Sequence, residues 1–244
     1  MDNSDINEPF LQYKEEDDQN EEIEKEIAQK IREGFIVKVF GIITYQIILT
    51  SIVICLGLLN SSFQEFLLKS YILYYTSIFM TAFFLLLPLC YPNIYRSVPM
   101  NYIVITLFTL SYSWPIAAMT CLYTIKSVVI TLFLTLAMVI TLTIYTWKTE
   151  KDLSVVGGTL IVCLVLLIFS SIFLIFFFIP ILILLIIFLS LVLCSAYLIY
   201  DIQLLIGNKK VKYSEDDYIL AAIEIYLDII MLFTRILSIF GSKK

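Results

Sequence analysis

Histidine is absent from the 244-residue chain. Its absence removes histidine-based general-base catalysis, histidine-containing triads and the commonest zinc ligand sets. Glycine and proline are scarce, at seven and six residues. No Walker-type lysine follows Gly157 and Gly158, which read as a close-packing or bending site instead of a phosphate loop. Cys55, Cys90, Cys121, Cys163 and Cys194 stand singly in apolar runs, without C-x-x-C spacing. No disulfide framework is predicted, and each reads as a small buried hydrophobe. Charged residues make up only 15% of the chain, and no basic stripe exists for nucleic acid.

What fills the chain is apolar: 60% of residues are hydrophobic, in repeated runs near the roughly 20 residues a membrane-spanning helix needs. The runs are continuously apolar and do not alternate, so helices are expected and a barrel is not. The predicted fold class is an all-α integral membrane protein with a seven-transmembrane-helix bundle. The net charge of −5 belongs to one end of the chain, because residues 1–33 hold twelve Asp or Glu against four Lys or Arg. The division expected is a cytosolic acidic tail over 1–33, disordered over 1–22, a membrane domain over 34–241 and a short tail over 242–244. Ile23, Ile27 and Ile31 suggest a short amphipathic helix leading into the membrane. Apolar sequence begins only near Phe35, so no cleaved signal peptide is expected.

Spans are predicted at 35–59, 71–90, 102–123 and 127–147, joined by short connections. Residues 155–200 carry no charge at all, too long a stretch for one crossing of a core about 30 Å thick. Pro180 is the natural break, giving spans at 155–178 and 181–206. A polar loop over 207–217 follows, with Ser214 and Asp217 spaced as an N-cap signal for the last helix. That helix, 218–240, carries Glu224, Asp228 and Arg235 on one face, and both a full crossing and a re-entrant segment are open for it. Lysine and arginine concentrate in the loops on the amino-terminal side, which predicts a cytosolic amino terminus.

Asp201 and Asp228 each lie inside an apolar span, where a carboxylate is costly and usually faces a bundle interior or an ion or proton path. Side by side at similar depth, the two can share one proton, since like charges a few ångströms apart resist joint ionisation. Such a pair is a candidate pH sensor or gate, and when ionised it supplies oxygens of the kind Ca²⁺ prefers. Glu224 and Arg235 are candidate auxiliary polar residues; pairing of Asp228 with Arg235 is the plain structural alternative. Lys38 reads as a snorkelling side chain.

The chain resembles the Bax-inhibitor/Lifeguard family over residues 31–241. The similarity rests on IREGFIVKVFGIITYQIILT, with Arg32, Phe35, Lys38, Val39, Gly41, Thr44, Gln46 and Thr50, and on PMNYIVITLFT, with Pro99, Asn101, Leu107, Phe108 and Thr109. It continues in WKTEKDLSVVGGTL and ends in the specific pair YLIYDIQLL and DDYILAAIEIYLDIIMLF. The resemblance implies seven helices in an endomembrane, endoplasmic reticulum or Golgi, and a paired-aspartate sensor at Asp201 and Asp228 controlling a Ca²⁺ leak. It also implies restraint of stress-induced cell death, through contacts with membrane proteins of cell-death or calcium-release pathways. Two positions depart from the family: Tyr112 stands where a Glu is frequent, and Met231 where an Asn is.

The expected function is thus a pH-sensitive Ca²⁺ leak channel or exchanger, with a non-transporting regulator acting through protein partners as the alternative. No cofactor beyond Ca²⁺ as the transported or bound ion is expected, and no enzyme activity. The Tyr-Asp pair at Tyr200 and Asp201 resembles one in intramembrane aspartyl proteases, but Tyr226 and Leu227 precede Asp228 where those enzymes have glycine-flanked aspartate.

Overall fold

The computed structural model describes residues 4–149, 151–176, 179–207 and 212–244. Among them the chain forms helices α1 (Ser4–Leu59), α2 (Ser61–Lys69), α3 (Tyr71–Cys90), α4 (Pro92–Arg96), α5 (Met100–Thr120), α6 (Ile125–Lys148), α7 (Gly157–Phe176), α8 (Pro180–Ile206) and α9 (Tyr218–Phe240). No strand forms among the described residues; an isolated antiparallel bridge pairs Tyr123 with Lys243. Among the described residues six helices are long and apolar enough to cross a membrane: the 21–59 part of α1, then α3, α5, α6, the 157–174 part of α7, and α8. The chain is a multi-pass membrane protein. Pro180 opens α8 at its first turn, as the missing backbone donor favours.

α1 continues toward the amino terminus as far as Ser4, through the acidic stretch that composition predicts to lack structure. Lys25 to Glu21 at 3.2 Å and Gln29 to Glu33 at 2.9 Å, each four residues apart, support the helix locally. The side chains of residues 21–31, Ile23, Ile27 and Ile31 included, are exposed, so local pairing and not tertiary packing carries this segment.

α9 is the axis of the bundle. Ile219, Ala221, Ala222, Tyr226, Leu232 and Leu237 are fully buried, packed among α8, α1 and α6. By contrast α3, α6 and α7 turn Leu, Ile and Phe outward, which suits hydrocarbon as a solvent. The same inversion corrects the cysteine expectation: Cys121 and Cys194 are buried, but Cys55, Cys90 and Cys163 are exposed. An apolar outer surface gives a small hydrophobe no reason to be interior.

Each end of the bundle is tied by named contacts. At one end Arg96 donates to both carboxylate oxygens of Asp217, at 2.8 and 3.1 Å, and Gln203 bonds the backbone of Lys151 and Leu153. Its bond to Asp217 pushes the Arg96 guanidinium above its ordinary range. This pair also corrects the capping expectation. Ser214 makes no side-chain cap and the Asp217 carboxylate is taken by Arg96, while α9 starts at Tyr218 as expected, after a single 3₁₀ turn over Glu215–Asp217. At the other end Thr124 N–H donates to Ser242 O, and Lys244 N–H to Leu122 O, both at 3.0 Å. α9 therefore runs from one end of the bundle to the other. Also at that end is α2, capped by Asn60 at Phe63 N–H, with Phe63 and Phe66 edge-on to Trp114.

Gly207 ends α8 in the left-handed region, with φ 73°, and its N–H bonds Gln203 O. A Cβ there would meet the Arg32 guanidinium at 2.5 Å. Gly207→Ala is expected to cost at least about 1–2 kcal/mol from φ alone, seen as a lower melting temperature of the detergent-solubilised protein. Gly158→Ala, where a Cβ meets nothing within 4 Å, is the control and leaves it unchanged.

Candidate functional site

Near the end tied by Arg96, α8 and α9 bring three carboxyl groups together. Asp201 lies five residues before the end of α8; Glu224 and Asp228 are one turn apart on α9. Asp201 and Asp228 are 6% and 8% exposed and lie within side-chain hydrogen-bonding reach of each other. A hydrogen bond between two carboxyl groups needs a proton on one of them. Asp228 Oδ2 has no partner, nor has the Tyr197 hydroxyl one turn before Asp201. Glu224 is the accessible acid of the three.

All three acids, with Tyr197, Tyr200 and Arg235, line a cavity of about 850 Å³ between α7, α8 and α9. Its remaining wall is mostly aliphatic, including Ile161, Leu164, Ile168 and Leu193. Gly157 lets α7 pass the Tyr200 hydroxyl, where a Cβ would come within 2.6 Å, so the close-packing reading holds at that glycine. Arg235 lies on the same wall as Asp228 but forms no ion pair with it, and its Nε is unpartnered. Seven residues of helix separate the two by about 10 Å of rise, beyond pairing distance.

The roof of the cluster comes from residues that sequence reasoning gave no role at the site. Arg32, on α1, donates to Tyr213 O at 2.8 Å, to Ile206 O at 3.3 Å and to Leu204 O, and meets Glu215 at 3.4 Å. A cation over the last carbonyls of α8 complements the negative end of that helix. Its guanidinium also lies 4.6 Å from the centre of the Phe35 ring. The Tyr213 hydroxyl donates to Glu224 and reaches Asp201. Burial, then the charges of Asp201 and Glu224, raise the Tyr213 hydroxyl above its ordinary range, so it remains a donor. Glu215 is held below the usual glutamate range, first by its own backbone N–H, then by Lys212 and Arg32. A depressed value keeps its support of Arg32 present above the ordinary glutamate range and removes it as pH falls through the lowered value. Arg32 was visible only as part of a motif; Tyr213 gave no signal.

Both family departures are packed. The Tyr112 ring stacks on Phe108 at 6.1 Å and 10°, and meets Tyr226 edge-on at 6.0 Å. Met231 Sδ is 3.9 Å from Cys194 Sγ. Lys38 is exposed, its Nζ 5.5 Å from the Tyr218 ring. Among the described residues no three His, Cys, Asp or Glu side chains gather where they could hold a metal ion. A resident Ca²⁺ takes about six to eight oxygens, so the pair offers at most a part of such a shell.

Fold and site together define a helical multi-pass membrane protein with a buried carboxyl pair beside a cleft between α7, α8 and α9. A family model described as "Inhibitor of apoptosis-promoting Bax1" matches residues 32–244. Protein lifeguard 3 from Homo sapiens is 32% identical over 219 residues, covering 88% of this chain and 70% of that protein. The Mus musculus protein of the same name is 31% identical over 221 residues, covering 88% and 71%. A BI1-like protein from Arabidopsis thaliana is 35% identical over 217 residues, covering 86% and 81%. The chain belongs to the Bax inhibitor/Lifeguard family, a family of membrane proteins linked to the regulation of apoptosis.

Proposed function

We propose that this chain is a pH-sensitive Ca²⁺ leak channel or exchanger of an intracellular membrane, endoplasmic reticulum or Golgi, that lowers stored Ca²⁺ and restrains stress-induced cell death. The observation that carries this reading is the apposition of Asp201 and Asp228 across α8 and α9, beside a cavity and with one carboxylate oxygen unpartnered. While one proton is shared, the pair holds the two helices together. When that proton leaves, two carboxylates face each other at low dielectric, the helices separate, and passing Ca²⁺ finds anionic oxygens along the way. Flux then rises with pH.

In this reading α9 is the seventh crossing. Its 23 residues are long enough, at about 1.5 Å per residue, for a core about 30 Å thick. The three charged groups that make it unlike the other spans line the cleft between α7, α8 and α9. The amino terminus lies in the cytosol, on the side of Arg32, Arg96 and Lys151.

Ca²⁺ efflux from liposomes holding the purified chain, scanned across pH, tests the proposal. Efflux that rises with pH is expected; efflux equal to that of empty liposomes at every pH, from folded protein, overturns it. A second reading has one observation in its favour: the glutamate-rich stretch over 21–31 is exposed, free to meet a membrane-protein partner. In that case the chain regulates cell death without transport, and survival of stressed cells is indifferent to Asp228→Asn.

A further inference from the structure

We infer that Arg32 is a positioning residue for the carboxyl cluster, holding the Tyr213 backbone so that the Tyr213 hydroxyl seats on Glu224. The positioning stands on geometry alone; its effect on flux rests on the leak reading above.

Capping α8 does not by itself account for the contacts of Arg32. The helix end is closed in part without it, since Gly207 N–H bonds Gln203 O and Tyr213 N–H bonds Leu204 O at 3.3 Å. Arg32 adds a 2.8 Å bond to Tyr213 O, which is not a helix carbonyl. Three backbone carbonyls from two segments, at 204, 206 and 213, thus converge on one guanidinium, whose Nη1 also meets Glu215. Only a planar fan of donors satisfies that set; a lysine, a point charge with rotatable donors, cannot.

The hydroxyl end of Tyr213 ties this network to the acids. Tyr213 is eleven residues ahead of Glu224, yet its hydroxyl donates to that carboxylate and reaches Asp201. The ionisable groups facing Tyr213 are Asp201 from α8, Glu224 and Asp228 from α9, and Arg32 from α1 through the backbone. A hydroxyl donating to a carboxylate favours its ionised form. Loss of that bond makes the cluster keep its proton to higher pH. Arg32 also lies on the same continuous helix as the exposed acidic stretch, so a displacement of that stretch reaches the cluster through one residue.

The test places 3-fluorotyrosine at position 213 and follows its ¹⁹F resonance in lipid nanodiscs, in the native background and in Arg32→Ala, Arg32→Lys and Glu224→Gln. The native resonance is expected away from that of free fluorotyrosine and dependent on pH. Arg32→Ala moves it to the free position, Arg32→Lys divides it between two positions, and Glu224→Gln shifts it without solvent exposure. A native-like resonance in both Arg32 variants, folded by size exclusion, overturns the inference. Should Arg32→Ala not fold, Arg32→Lys and Glu224→Gln decide on their own. Flux is the separate arm: Arg32→Lys and Tyr213→Phe move the midpoint of the efflux curve to higher pH, by about one unit for a tenfold change in proton affinity. Absence of native efflux with the ¹⁹F outcomes as expected refutes the leak and leaves the positioning standing. Native efflux with an unmoved resonance refutes the positioning alone.

Discussion

In Asp228→Asn, Ca²⁺ efflux is expected to lose its pH dependence and to stay at the low-pH level across the range. The substituted amide still donates and accepts, so the bridge to Asp201 survives. What it cannot do is ionise. Two unit charges about 4 Å apart repel by about 4 kcal/mol at an effective dielectric of 20, and in the proposed mechanism that repulsion drives the separation of α8 from α9. Without it, efflux at the alkaline end falls by at least about tenfold, the equivalent of roughly 1.4 kcal/mol, while efflux at the acid end does not change. Asp201→Asn has the same effect, because repulsion needs both charges, and the double variant is no worse than either single one. Arg235→Gln has a smaller effect, since no ion pair joins Arg235 to Asp228. Efflux from liposomes measures all four. An additive double variant would mean that the two aspartates act separately.

Ala222→Leu is expected to unfold a large part of the protein at temperatures the native chain withstands. Ala221 and Ala222 are both 0% exposed on the central helix, where small side chains let neighbouring backbones approach. Three added carbons have no space, and overpacking of this kind costs typically about 1–3 kcal/mol. Ile130→Ala on the outer face of α6, where Ile130 is 58% exposed, has little effect. Melting in detergent and the yield of monodisperse protein measure both. Equal effects at the two positions would contradict a bundle built around α9.

How much of this arrangement was written in the sequence depends on the range of the interaction. The apolar runs marked α3 and α5 to α9 to within a few residues, though α1 begins far ahead of its predicted span at 35–59, and Pro180 marked the hairpin, because hydropathy and a missing backbone donor act locally. The two buried aspartates were legible for the same reason: a charge inside an apolar run is conspicuous wherever its partner lies. That they come within hydrogen-bonding reach depends on how α8 and α9 cross, and no periodicity reports that. Arg32 to Tyr213 spans 181 positions, and Tyr213 sits in a polar loop where a tyrosine is ordinary. Asp217 shows the reverse failure. Its spacing from Ser214 imitates a capping motif, but Arg96, 121 residues away, claims its carboxylate. The exposed cysteines were misjudged because burial statistics from water do not hold where the outer face meets lipid.

At the centre of the proposed mechanism, Asp201 and Asp228 hold one proton between them and release it as the path opens. Infrared titration of the carboxyl C=O stretch in proteoliposomes tests this most directly, with native protein, Asp201→Asn and Asp228→Asn measured alongside efflux. The expected result is a protonated-carboxyl band that disappears over the same pH interval in which efflux rises, and that moves in frequency or in pH in both variants. A band unaltered by either substitution, or one whose disappearance does not track efflux, would contradict it.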